Sequence, residues 1–207
     1  MTDPMIYDLS TRTVTGLILA GGRGQRMGGA DKGLVLIDGR TMVAHIIERL
    51  RPQVDDIIIN ANRNVERYAE FGFAVITDGQ RDYSGPLAGM ASGMRVARTD
   101  FIVSVPCDSP FLPEDLVLRL MKGLNDADRI AVAHDGERMQ PVFSLLRIDL
   151  LASLQEYLDR GDRKIDTWFA QHRFALVDFS DLPDTFRNIN TDEQRDAIER
   201  ELRRESV

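Results

Sequence analysis

Cysteine is nearly absent from this 207-residue chain. The single Cys107 excludes an internal disulfide and a multi-cysteine zinc site, and that usage suits a reducing cytoplasm. No apolar run approaches the roughly 20 residues of a membrane-spanning helix, so no membrane association is expected. The opening stretch MTDPMIYDLSTRT lacks a charged start followed by an apolar core, so it does not read as a secretory signal. Residues 1–13 read instead as a short extension ahead of one domain spanning 14–207. Basic excess is also missing. Asp and Glu number 33 against 26 Lys and Arg, a net charge of -7, which argues against nucleic acid as a partner. There is no Gly-x-Ser-x-Gly elbow and no cysteine with an evident histidine partner, so chemistry by positioning and charge is expected over covalent catalysis. No internal repeat or low-complexity run points to a second domain.

Against that acidic background one stretch is rich in glycine and cations. Leu17 to Gly33 reads LILAGGRGQRMGGADKG, an apolar strand followed by a loop with glycines at 21, 22, 24, 28, 29 and 33. Glycine adopts positive φ at little cost, and successive backbone N–H groups in such a turn form a concavity for anions. Arg23, Arg26 and Lys32 bring three positive charges, opposed only by Asp31. Together these features read as a polyphosphate cradle at the carboxyl end of a sheet strand. Two familiar phosphate loops do not fit it. A Walker A loop needs Ser or Thr after its lysine, where this chain has Gly33; a dinucleotide fingerprint starting at Gly22 needs glycine at 27, where it has Met27.

Further along, apolar and punctuating residues alternate in the manner of strands and helices. Val43, Ile46, Ile47 and Leu50 recur at helical spacing from about Thr41 until Pro52, with His45 as a packing or surface residue. Ile57–Ile59 form a β-branched strand ending at Asn60-Ala61-Asn62, and residues 73–77 form a third strand that delivers Asp78. Asn60 and Asp78 are either turn formers or polar groups at a ligand rim. Tyr83 to Met90 is a second glycine loop that opens a helix, with Met90 and Met94 as core. Residues 100–105 are the most apolar strand and the expected sheet centre, running into Pro106-Cys107-Asp108-Ser109-Pro110. A carboxylate at Asp108 suits magnesium, which prefers one or two carboxylates plus phosphate oxygens, or it caps the next turn. Cys107 reads as buried and inert.

Pro113 reads as the start of a helix. Residues 129–133 and 139–146 read as an antiparallel hairpin over the site's rim, with a polar turn between them. Helices are expected over 150–157 and 164–172, with Trp168 and Phe169 as packing aromatics. A last strand covers 174–179. Thr191 with Glu193 or Gln194 resembles the cap of a charged terminal helix.

The run LILAGGRGQRMGGADKGL resembles the signature of nucleotidyltransferases that start from a nucleoside triphosphate. Its double glycine and its Asp31-Lys32-Gly33 run resemble in particular the molybdenum cofactor guanylyltransferases. Asn60-Ala61-Asn62, Gly85-Pro86-Leu87-Ala88-Gly89, Pro106-Cys107-Asp108-Ser109-Pro110 and Asn188-Ile189-Asn190-Thr191 continue the likeness along most of the chain. The resemblance implies an α/β fold: one doubly wound, mostly parallel sheet of the Rossmann-like nucleotidyltransferase kind, with a small antiparallel hairpin. It implies GTP contacts from Leu19, Ala20, Gly21, Gly22, Lys32, Asn60, Asp78, Gly85, Gly89 and Asp108. Asp108 would hold Mg2+, and Gln140, Arg138, Asn188 and Asn190 would face the acceptor.

Nucleotidyl transfer concentrates negative charge on phosphoryl oxygens, and Arg26, Lys32 and a metal on Asp108 would neutralise it. The implied substrates are GTP and molybdenum-molybdopterin, giving the guanine dinucleotide cofactor and pyrophosphate. Transient contacts with other cofactor-biosynthesis proteins or molybdoenzyme chaperones are consistent with this role. The competing readings are a molybdopterin cytidylyltransferase or sugar-phosphate nucleotidyltransferase, and a non-catalytic nucleotide-binding cofactor chaperone.

Overall fold

The computed structural model describes residues 12–21, 31–78 and 85–205. Gly22, Arg23 and Arg26 of the first loop lie outside them. The strands form where β-branched and apolar residues alternate between two buried faces. β1 (Val14–Leu19) is flanked by β4 (Asp56–Asn60) on one side and β6 (Phe101–Pro106) on the other, both parallel to it. β5 (Ala74–Ile76) extends the sheet beyond β4. On the other side, β8 (Met139–Arg147) lies antiparallel to β6, and β7 (Ile130–His134) and β9 (Phe174–Asp178) follow. The seven-stranded order is β5-β4-β1-β6-β8-β7-β9, with β6 at its centre, as its apolar sequence predicts.

Alternation sorts the core into two layers. Ile18, Ile57, Ile59, Val103 and Val105 face α1 (Met42–Leu50), α2 (Val65–Ala69) and α4 (Leu116–Gly123). Leu17, Ile58, Ile102, Ile130 and Leu146 face α3 (Pro86–Val96), α5 (Leu151–Asp159) and α6 (Ile165–Phe169). The sheet is therefore doubly wound. Each fully buried aliphatic side chain contributes about 1.5–3 kcal/mol to holding these layers. From β1 the chain winds outward to β4 and β5, then returns through α3 on the opposite face to β6. That reversal makes a topological switch point between β1 and β6 at their carboxyl ends, where open α/β sheets bind ligands.

Two details differ from the sequence expectation. β7 and β8 are antiparallel neighbours, as expected, but both are built into the main sheet. The freestanding hairpin is the pair β2 (Leu36–Ile37) and β3 (Arg40–Thr41), turned by Asp38 and Gly39, both at positive φ. Second, α4 begins at Leu116 rather than Pro113. Residues 113–115 form the preceding turn, in which Leu116 N donates to Pro113 O at 3.3 Å. The last described element is α7 (Asp192–Glu205), which carries Ile198 into a small core with Ile37, Met42 and Ile189. Thr191 accepts from Gln194 N, and the Gln194 side chain accepts from the Asn190 and Thr191 backbone, so the expected cap forms with Gln194.

Candidate active site

Strand register brings the scattered motifs to one rim. Leu19 is paired with both Asn60 and Pro106, and Asn60 with Ile76, so four strand ends finish in one row. Residues one or two positions beyond that row must converge: Ala20 and Gly21, Asn62, Asp78 and Asp108. Main-chain bonds lock the row, with Ala20 N donating to Asn60 O at 2.8 Å and Cys107 N to Leu19 O at 3.1 Å.

On the β6 side of the switch point, the Lys32 ammonium donates to Asp108 Oδ2 at 2.8 Å. It also donates to the amide oxygen of Asn190. The ion pair is only partly exposed, 20% for the lysine side chain and 14% for the aspartate. Lys32 arrives from a single 3-10 turn over Lys32–Leu34, and Asp108 from the exit of β6. A cation at the end of the first loop and the carboxylate at the exit of β6 thus stand in direct contact.

Asn190 and Asn188 come from a distant segment that crosses the rim. Phe186 anchors that segment in the core, edge-on to Phe143 at 4.8 Å and to Phe179 at 5.4 Å. Ile189 N donates to Asp108 O at 2.8 Å, and Ser109 Oγ donates to Asn188 Oδ1. The two asparagines therefore flank Asp108 directly.

On the β4–β5 side a compact amide–carboxylate cluster forms. Asn60 Nδ2 donates to Asp78 Oδ1 and Asn62 Nδ2 to Asp78 Oδ2, both at 2.7 Å, while Asp78 N donates to Asn62 Oδ1 at 2.9 Å. Asp78 and Asn60 are buried. A carboxylate offers about four acceptor sites, so each Asp78 oxygen retains capacity for a further donor. Gly21 presses its backbone against this cluster: a Cβ there would stand 3.0 Å from Asn62 Nδ2. Gly89, one turn into α3, has a different constraint. A Cβ there would meet Asn60 Oδ1 and Leu19 Cδ2, each at 2.6 Å, so the glycine lets α3 lie tight on the sheet. Gly85 caps α3 at φ +79, a left-handed conformation that favours glycine.

Gln140 and Arg138 lie apart from these two clusters. Both lean on Asp135 in the β7–β8 turn, where Gln140 Nε2 donates to Asp135 Oδ2 and Arg138 Nε stands 3.8 Å away. That turn does project from the same end of the sheet, because β8 runs antiparallel from it toward the Ser104–Ser144 pairing.

Cys107 is buried, and burial, followed by the charges of Asp108 and Asp31, pushes its thiol up, as befits an inert sulfur. His45 bonds the Ile37 carbonyl at 3.0 Å in a packing role. Sequence reasoning passed over Asn62, although residues two apart on a strand exit share a side with Asn60. It also passed over Ser109 and the Tyr68–Asn64–Asp31 contacts described below.

Among the described residues no group of three His, Cys, Asp or Glu side chains could hold a metal alone. A single carboxylate such as Asp108 is nonetheless of the donor class that magnesium uses when phosphate oxygens and water complete its shell. No helix among the described residues is long and apolar enough to cross a membrane.

Comparison with known proteins agrees with this geometry. The family model described as MobA-like NTP transferase domain matches residues 16–175. The molybdenum cofactor guanylyltransferase of Shewanella sp. (strain MR-4) is 51% identical over 191 residues, covering 91% of this chain and 96% of that protein. Its counterpart in Shewanella piezotolerans is 51% identical over 189 residues, covering 91% and 93%. Among solved structures, molybdopterin-guanine dinucleotide biosynthesis protein A from Archaeoglobus fulgidus superposes with a TM-score of 0.75 at 18% identity, covering 92% of this chain and 99% of that one. The 4-diphosphocytidyl-2C-methyl-D-erythritol synthase of Anaerococcus prevotii shares the fold at a TM-score of 0.72 and 12% identity, covering 93% and 99%. A family match over most of the chain and half-identical relatives of nearly the same length place the chain in the MobA-like NTP transferase family, among the molybdenum cofactor guanylyltransferases.

Proposed function

We propose that this chain transfers the guanylyl group of GTP to the phosphate of molybdenum-molybdopterin, releasing pyrophosphate. An oxygen of the acceptor phosphate bonds to the α-phosphorus as the bond to the β-phosphate bridging oxygen breaks. The acceptor is already ionised, so no general base is needed. The observation that carries this reading is the Lys32–Asp108 pair at the β1/β6 switch point, in a chain half-identical to guanylyltransferases.

Lys32 would leave Asp108 to neutralise charge on the phosphoryl oxygens, since a positioned cation stabilises the transition state more than the ground state. Asp108 would hold magnesium, which when bound draws charge from the phosphate oxygens. The Asn60–Asp78–Asn62 cluster would seat the guanine edge or ribose on the spare acceptor capacity of Asp78. Asn188 and Asn190 would face the pterin phosphate, next to Asp108. Arg26 and Gly22 keep their expected phosphate roles as proposals from sequence. A cytoplasmic setting, and transient contacts with cofactor-biosynthesis proteins or molybdoenzyme chaperones, go with this reading.

The test mixes protein, molybdenum-molybdopterin and one nucleoside triphosphate at a time, and measures pyrophosphate. GTP with magnesium should release it, CTP, ATP and UTP should release far less, and a chelator should stop it. Equal turnover with CTP would overturn the guanylyl assignment, and GTP binding without pyrophosphate would favour the chaperone.

A further inference from the structure

Beneath the Lys32–Asp108 pair lies a polar cluster that the reaction described above does not use. The Asp31 side chain is only 5% exposed. Its Oδ1 accepts from the Tyr68 hydroxyl at 2.6 Å and its Oδ2 from Asn64 Nδ2 at 2.9 Å, with Arg63 Nε 3.5 Å away. Tyr68 is fully buried, and burial, then the neighbouring Cys107 and Asp31, push its phenol up, so it stays a protonated donor. Asn64 takes a left-handed backbone at φ +51 just ahead of α2. Asparagine adopts this conformation more readily than other residues with a side chain, so the turn suits the residue it carries.

We infer that Tyr68, through Asp31 and Asn64, is the positioning residue for Lys32. Three observations converge. Asp31 immediately precedes Lys32, and its carbonyl accepts from Leu34 N at 3.0 Å, so fixing Asp31 fixes the turn that presents the ammonium. The Tyr68 hydroxyl also stands against the next residue: a Cβ on Gly33 would lie 2.5 Å from it and 3.3 Å from Cys107 Cβ. The phenol is thus wedged beneath the two backbone segments that carry Lys32 and Asp108. Finally, a buried carboxylate with a phenol and an amide is a costly way to fill a core, since apolar residues of similar volume serve stability at least as well. What the polar set adds is a defined geometry. The inference rests on Lys32 serving the phosphates as proposed above. A misplacement of about 1 Å is enough to cost up to about a hundredfold in rate.

The test uses Tyr68→Phe, which removes only the hydroxyl, and Asp31→Asn alone and with Asn64→Asp, which reverses the amide–carboxylate pair while keeping an acceptor for Tyr68. Two readouts are taken on the full-length protein. The first is guanylyl transfer, expected to lose about tenfold to a hundredfold in kcat in Tyr68→Phe and Asp31→Asn, with the KM for GTP changed less than about twofold. The second is NMR of the protein labelled with 15N-lysine. The chain has three lysines, and the Lys32 ammonium, held by Asp108 and Asn190, should give a slowly exchanging signal that both variants lose. The double variant Asp31→Asn/Asn64→Asp should recover both readouts, and a Tm taken on each variant separates loss of Lys32 position from general loosening of the fold. If Tyr68→Phe keeps the Lys32 signal, or loses it while keeping kcat, the positioning role is overturned. If wild type shows no guanylyl transfer but the signal still depends on Tyr68, the positioning stands and the proposed reaction falls.

Discussion

At the scale of single residues, the decisive contact is between Lys32 and Asp108, and it does two jobs that mutation can separate. As an ion pair with both members mostly buried, it resists the loss of either partner, because the survivor is left as an uncompensated charge. In the reaction proposed above, each member also acts on phosphate. Lys32→Met and Asp108→Asn should each lower kcat by about a hundredfold to a thousandfold, and each should lower Tm. Lys32→Met combined with Asp108→Asn removes both charges together, so it should regain most of the lost Tm and none of the lost turnover. Thermal melts beside pyrophosphate release check this. A double variant as unstable as the singles would show that charge pairing is not what the contact contributes. The same scale shows what the sequence leaves unsaid about Asp31. Adjacency made it look like a counter-charge to the loop cations, whereas burial under Tyr68 and Asn64 makes it part of the scaffold below them.

At the scale of elements, α3 shows how close packing and ligand placement share one helix. Gly93 and Gly89 lie one turn apart on its buried face. A Cβ on Gly93 would meet Leu17 Cδ2 at 2.6 Å and Cδ1 at 2.8 Å, the far end of a flexible side chain within the core. A Cβ on Gly89 would meet Asn60 Oδ1 at 2.6 Å, a member of the Asp78 cluster. Gly93→Ala should therefore cost about 1–3 kcal/mol in urea unfolding with the KM for GTP unchanged. Gly89→Ala should cost a similar amount and also raise that KM. Equal kinetic effects from both would break the distinction between core and rim.

The strands β1, β4, β5 and β6 were legible because alternation on a doubly covered sheet leaves runs such as Ile57–Ile59, and glycine or Asx residues close them. The insertion of β8 between β6 and β7 was not legible. A hairpin turn announces the β7–β8 pairing, but no local pattern announces which other strand β8 will touch. The one hint is a pair of buried serines, Ser104 and Ser144, that bond each other across β6 and β8 at 3.1 Å in otherwise apolar strands. The proline at 113 also misled, since it fits a turn before a helix as well as a first helical position.

At the scale of the whole molecule, an acidic chain gathers, among its described residues, a cation, two carboxylates and four asparagines at one end of its sheet. The strand ends were visible in sequence, and convergence follows once the register is known. The crossing segment of Asn188 and Asn190 required the tertiary fold, because its distance in sequence from Asp108 hides the contact. Cys107 gives this arrangement a reporter. It is the chain's one thiol, it sits between β6 and Asp108, and burial together with nearby carboxylates keeps it protonated. Thiolate, not thiol, attacks a disulfide reagent, so native protein should react very slowly with an aromatic disulfide, and only through opening of the rim or of the whole domain. A ligand that binds only the closed form slows that opening in proportion to its excess, by about a hundredfold at a hundred times its Kd. Magnesium and GTP together should therefore suppress labelling of Cys107 to that extent, while magnesium and UTP at the same concentration should leave it nearly unchanged. Labelling that is fast in native buffer, or indifferent to GTP, would mean that the β6 exit opens without disturbing the nucleotide site, and the rim could not then be one cooperative unit.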